Sequence, residues 1–140
     1  MCRIKWLMVL LIISISFFYQ ISFAAAQQIS QPIYSETQAV ISVTPNQSQF
    51  IIELQSNPST GYSWFLMSYD HALLVPIKHY FQKSAMRVVG ASGVEVWIFQ
   101  AKSAAFKVPQ QTSLRFIYAR PWEAKAPGKT VIFKVSLQSI

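Results

Sequence analysis

Along most of the chain the apolar positions recur every second residue. Phe50, Ile52 and Leu54 alternate with Ile51 and Glu53, and Val94, Val96 and Ile98 with Glu95, Trp97 and Phe99. Leu114, Phe116 and Tyr118 alternate with Arg115 and Ile117, and Val131, Phe133, Val135 and Leu137 with Ile132, Lys134, Ser136 and Gln138. A period of two is that of strands with one face inward and one toward water. The runs are rich in β-branched and aromatic residues, which suit a pleated surface. Shorter apolar runs at 39–43, 62–68 and 79–81 supply further strands. Turn signals separate them: Thr44-Pro45-Asn46, Asn57-Pro58-Ser59-Thr60-Gly61, Gly90-Ala91-Ser92-Gly93, Val108-Pro109 and Ala126-Pro127-Gly128. One helical turn is expected over 70–75, ended by Pro76. The pattern predicts about seven to eight short strands in one all-β domain, an antiparallel β-sandwich or a barrel.

Residues 1–26 follow a different rule. Arg3 and Lys5 precede an apolar run from Trp6 to Phe18, and Ala24-Ala25-Ala26 follows it. This is the layout of a secretory signal peptide. The run, about 13 residues, is short of the roughly 20 that span a bilayer. The expectation is a signal peptide at 1–26, a domain at 27–140 and an exported protein, periplasmic or secreted, with no membrane attachment after cleavage. Cys2 would leave with the signal, so the domain would carry no thiol, disulfide or thiolate metal site.

The full chain has 12 Lys+Arg against 5 Asp+Glu, a net charge of +7. Without Arg3 and Lys5 the domain keeps +5. These basic residues are scattered singly rather than gathered in a stripe, which argues against nucleic acid as the partner.

Candidate chemistry is sparse. His71 and His79 stand eight residues apart, and no cysteine or compact acidic cluster completes a zinc site with them. No nucleophile-elbow pattern singles out a serine. The acidic inventory is Glu36, Glu53, Asp70, Glu95 and Glu123, with Glu53 and Glu95 read as outward strand positions. Surface histidines and solvated carboxylates are the plain reading. The sequence points to binding rather than catalysis, with no cofactor and no metal. Asn46-Gln47-Ser48 fits a glycosylation sequon, whereas Pro58 excludes Asn57.

Three turns stand out. In Asn57-Pro58-Ser59-Thr60-Gly61-Tyr62 the residue before proline is pushed extended, Pro58 fixes φ, and Gly61 permits a left-handed turn. The expected result is a stiff loop with two hydroxyls at its tip. Gly90-Ala91-Ser92-Gly93 lacks bulky side chains, so its backbone can approach another surface. Arg120-Pro121-Trp122 ends a strand with a rigid backbone and the two residue types most enriched in interface hot spots. Each has a plain alternative: an ordinary hairpin turn, a glycine-containing β-turn, and a Trp capping the core.

Taken in order, NPSTGY at 57–62, GASG at 90–93 and RPW at 120–122 resemble the chagasin family of cysteine peptidase inhibitors, whose loops read roughly NPTTGY, GxGG and RPW. Ser63-Trp64 after the first loop, Val88-Val89 before the second and the aromatic strand before Arg120 agree as well. The resemblance covers about residues 38–138. It implies an immunoglobulin-like β-sandwich acting as a monomer, whose three loops enter the active-site cleft of a papain-like cysteine peptidase as a wedge. It places 57–62 nearest the catalytic cysteine, with Ser59 and Thr60 presenting hydroxyls and backbone. It places 90–93 along the substrate-binding side, and Arg120 and Trp122 on the opposite side. Inhibition would be reversible and competitive. Two positions depart from the pattern. Ser59 replaces a threonine, and Ser92 stands where the family favours glycine, which implies strain if that position needs a positive φ. Two readings stand beside this one: an exported immunoglobulin-like adhesion or assembly module, and a hydrolase using His71 or His79.

Overall fold

Eight strands form two four-stranded sheets in a computed structural model that describes residues 30–85, 90–123 and 128–139. The expected signal peptide at 1–26, with Cys2, lies outside the described residues, as do Val88-Val89 and Ala126-Pro127. The strands are β1 (Ile33–Ser35), β2 (Val40–Val43), β3 (Gln49–Ser56), β4 (Ser63–Ser68), β5 (Leu74–Lys83), β6 (Gly93–Ala101), β7 (Gln110–Ala119) and β8 (Lys129–Leu137). One sheet has the order β1-β3-β6-β5 and the other β2-β8-β7-β4. This is the sandwich form of the predicted all-β fold. The central pairings are antiparallel, while β1 on β3 and β2 on β8 run parallel at the sheet edges.

The period-two pattern sets the core. Phe50, Ile52 and Leu54 of β3 are buried, as are Leu114 and Phe116 of β7 and Phe133, Val135 and Leu137 of β8. Within one sheet Phe99 stacks on its cross-strand partner Phe50 with centroids 5.6 Å apart, and across the interface it meets Phe116 edge-on at 6.3 Å. Phe116 in turn meets Phe133 at 5.9 Å with the rings perpendicular. Edge-to-face aromatic packing of this kind adds about 0.5–1.5 kcal/mol per pair to the area buried.

Two expectations are corrected. Glu95 is not an outward, solvated position: it is 3 % exposed and shares the inward face of β6 with Phe99 and Ala101. Both faces of β6 are apolar, so its alternation does not say which one points in. The helical turn expected over 70–75 is shorter. Leu73 and Leu74 N–H both donate to the Asp70 carbonyl, and β5 has begun at Leu74, so Pro76 lies within a strand. It is tolerated there because β5 is a sheet edge, and the register shifts between Pro76 and Lys78. The other long edge, β4, shifts between Leu66 and Ser68, and β1 and β2 are short. Bulges and short strands discourage edge-to-edge association.

Candidate functional site

Antiparallel pairing brings three connections to one end of the sandwich. Ser56 at the end of β3 pairs with Gly93 at the start of β6, and Ser63 at the start of β4 pairs with Ala119 at the end of β7. Segments 57–62, 90–93 and 120–122 therefore emerge together.

The first loop is a single 3₁₀ turn, Pro58–Thr60, built as its sequence dictates. Asn57 is extended (φ −129°, ψ 86°), as a residue before proline must be. Thr60 N–H donates to the Asn57 carbonyl at 3.1 Å and Gly61 N–H to the Pro58 carbonyl at 2.9 Å. Gly61 closes the turn at φ +80°. The two hydroxyls reinforce it: Ser59 Oγ donates to Asn57 Oδ1 at 2.5 Å, and Thr60 Oγ donates to the Asn57 carbonyl at 2.6 Å. Both protons are committed within the loop, so the hydroxyls serve as internal staples while Pro58, Ser59 and Thr60 remain exposed.

The third loop leans on the first. Arg120 Nε–H donates to the Thr60 carbonyl at 3.0 Å, and a terminal guanidinium nitrogen donates to Glu123 Oε1 at 2.8 Å. The guanidinium carbon lies 4.6 Å from the centroid of the Tyr62 ring, which stacks on Tyr118. The bond to Glu123 raises the Arg120 pKa above its already high ordinary value, so the side chain stays charged. Arg120 thus joins two loops by charge-assisted bonds, leaving Pro121 and Trp122 as the presented residues. Trp122 is 69 % exposed, and one edge of its indole lies over Gly61.

The second loop meets the first through Asn57 Nδ2, which donates to the Gly90 carbonyl at 3.4 Å. Gly90 has φ +81°, and no described non-glycine residue has a positive φ, so the strain expected at Ser92 is absent. Gly93 is buried as the first residue of β6, where an added Cβ would fall 2.3 Å from the Gln82 carbonyl oxygen. Gly90, Ala91 and Ser92 form the open part of this loop. Loop 57–62 is thus the middle of the three, tied to 90–93 on one side and to 120–122 on the other.

Three contributors escape the motif reading. Tyr118 Oη accepts the Asn57 N–H at 2.9 Å, and Glu123 holds Arg120. Glu95 Oε1 accepts from Ser56 Oγ at 2.7 Å and from Trp64 N–H at 3.0 Å, and Oε2 is 2.9 Å from His79 Nε2. Its signal in the sequence is an acid that shares parity with Trp97 and Phe99 inside the otherwise apolar run Val94–Phe99. His79 stacks on Trp97 at 3.8 Å, and His71 lies apart, beside Tyr69 at 4.0 Å. Among the described residues no three His, Cys, Asp or Glu side chains come together as a metal site.

Comparison with known proteins bears on the family and the fold. The family described as chagasin family peptidase inhibitor I42 matches residues 44–137, a span that contains all three loops. The crystal structure of the cysteine protease inhibitor EhICP2 from Entamoeba histolytica is similar, with a TM-score of 0.63 at 21 % identity, covering 76 % of this chain and 94 % of that one. The solution structure of amebosin is similar with a TM-score of 0.58 at 22 % identity, covering 77 % of this chain and 98 % of that one. At these identities the likeness is one of fold. No curated protein matches the chain.

Proposed function

The chain belongs to the chagasin family of peptidase inhibitors, and on that premise we propose that it is a reversible, competitive inhibitor of papain-like cysteine peptidases that fills the active-site cleft with its three loops. The family is one of inhibitors, not of enzymes. The observation that carries the reading is the linkage of the loops: Asn57 bonds to Gly90, and Arg120 bonds to Thr60, so the three form one continuous edge.

The mechanism follows from that edge. The middle loop is fixed by Pro58, by two turn hydrogen bonds and by two hydroxyl staples before any partner arrives, so little ordering entropy is lost on binding. It presents backbone at a tight turn, which blocks access to a catalytic cysteine without offering a peptide bond in attack geometry. The small residues Gly90, Ala91 and Ser92 let main chain approach one wall of the cleft. On the other side Trp122 supplies a broad apolar surface, the usual form of a hot spot. Inhibition then needs no covalent bond. The protein acts as a monomer, and the composition of residues 1–26 supports export to the periplasm or beyond.

The test is titration of the purified protein against papain-like peptidases with a small peptide substrate. The expected result is a raised apparent KM with kcat unchanged. Absence of inhibition of every such enzyme at micromolar concentration would overturn the reading.

A further inference from the structure

We propose that Glu95 is the positioning residue of the central loop, an inference that rests on the inhibitor reading above. Loop 57–62 begins in one sheet and ends in the other, because β3 and β4 belong to different sheets. No backbone ladder joins its two stems. One carboxyl oxygen takes that place: Glu95 Oε1 accepts from Ser56, immediately before the loop, and from the backbone N–H of Trp64, two residues after Tyr62. β4 is an edge strand, so the Trp64 N–H finds its acceptor in the opposite sheet. His79, from the neighbouring edge strand β5, occupies the other carboxyl oxygen.

Burying a carboxyl group is costly, and a well-packed apolar residue often serves stability as well or better. What an apolar residue cannot do is accept two hydrogen bonds that fix the span between Ser56 and Trp64. The Trp64 indole N–H, which donates to the Gln55 carbonyl at 2.9 Å, closes the stems a second time but leaves the Trp64 amide unserved. Glu95 therefore sets where the loop starts and where it ends, while its hydrogen bonds go to Ser56, Trp64 and His79 and not to the exposed residues Pro58, Ser59 and Thr60. It contacts no peptidase itself.

The experiment compares Glu95→Gln and Glu95→Leu by inhibition constant and by amide hydrogen exchange. Glutamine keeps an oxygen able to accept both bonds, and is expected to inhibit within about threefold of the unchanged protein. Leucine leaves both donors unpaired, and is expected to weaken inhibition by about tenfold or more. In Glu95→Leu the amides of 59–64 exchange faster, while those in the β7–β8 ladder do not change. Inhibition by Glu95→Leu equal to that of the unchanged protein would overturn the proposal, as would weakened inhibition with exchange over 59–64 unaltered. Should the leucine variant fail to fold, Ser56→Ala removes one of the two bonds. It is expected to weaken inhibition by about threefold with the same local rise in exchange, and no change in either quantity would overturn the proposal. If the unchanged protein inhibits nothing, the function reading fails, and the exchange comparison still decides whether Glu95 holds the loop.

Discussion

The indole of Trp122 occupies the space that a side chain at Gly61 would need: a Cβ built on Gly61 would lie 2.7 Å from Trp122 Cη2 and 2.9 Å from Cζ2. The glycine of the first loop thus provides both the left-handed turn and the seat for the tryptophan of the third.

Gly61→Ala should therefore harm two things at once. A non-glycine residue at φ +80° costs about 1–2 kcal/mol, and the displaced indole no longer faces the partner. We expect a loss of unfolding free energy of about that size in urea titration, with inhibition weakened by about tenfold or more.

Trp122→Ala separates the two effects. The side chain is mostly exposed, so stability should change by no more than about 0.5 kcal/mol. Inhibition should weaken by about 1–3 kcal/mol, the range of an aromatic anchor. An unchanged inhibition constant in the folded variant would remove Trp122 from the contact.

Arg120→Lys is not a conservative change here. The Nε–H bond to Thr60 and the bond to Glu123 come from two positions of one rigid fork, and an ammonium cannot make both in that geometry. Inhibition should weaken by about three- to tenfold with the circular dichroism spectrum preserved, and hydrogen exchange should rise at 59–62. Because the Arg120 pKa is raised rather than lowered, its own contribution is complete below its ordinary titration range and fades only above it. Arginine ionisation therefore contributes no pH dependence near neutrality.

Ser92→Gly restores the residue favoured at this position in the resembled loop pattern, yet no gain in stability is expected. Ser92 does not have a positive φ, and glycine adds unfolded-state entropy worth about 0.4–1 kcal/mol. Denaturant titration should find the variant equal to or less stable than the parent; a gain of similar size would contradict the backbone geometry described.

These contacts divide what the sequence reveals from what it conceals. The alternation of Phe50, Ile52 and Leu54, and that of Phe133, Val135 and Leu137, is a local property with period two, and it marks strands and core face directly. Turn chemistry is local too, so the order Asn57-Pro58, then Gly61, forecasts an extended residue, a fixed φ and a left-handed closure. Parallel pairing of β1 with β3 and β2 with β8 leaves no such mark, because it depends on which distant strand offers an edge. Glu95 was concealed for a related reason. Its fitness for burial depends on Ser56, Trp64 and His79, which are 39, 31 and 16 residues away. The direction of the Ser59 and Thr60 protons was hidden because either could face outward until the fold of the turn brought Asn57 within reach.

The most direct test of cleft occlusion is a binding titration against one papain-like peptidase in two forms, free and with its active-site cysteine carrying a covalent group that fills the cleft. The account predicts tight binding to the free enzyme, with inhibition that rising substrate concentration relieves, and loss of binding to the filled one. Binding of equal strength to both forms, or inhibition that substrate does not relieve, would contradict it.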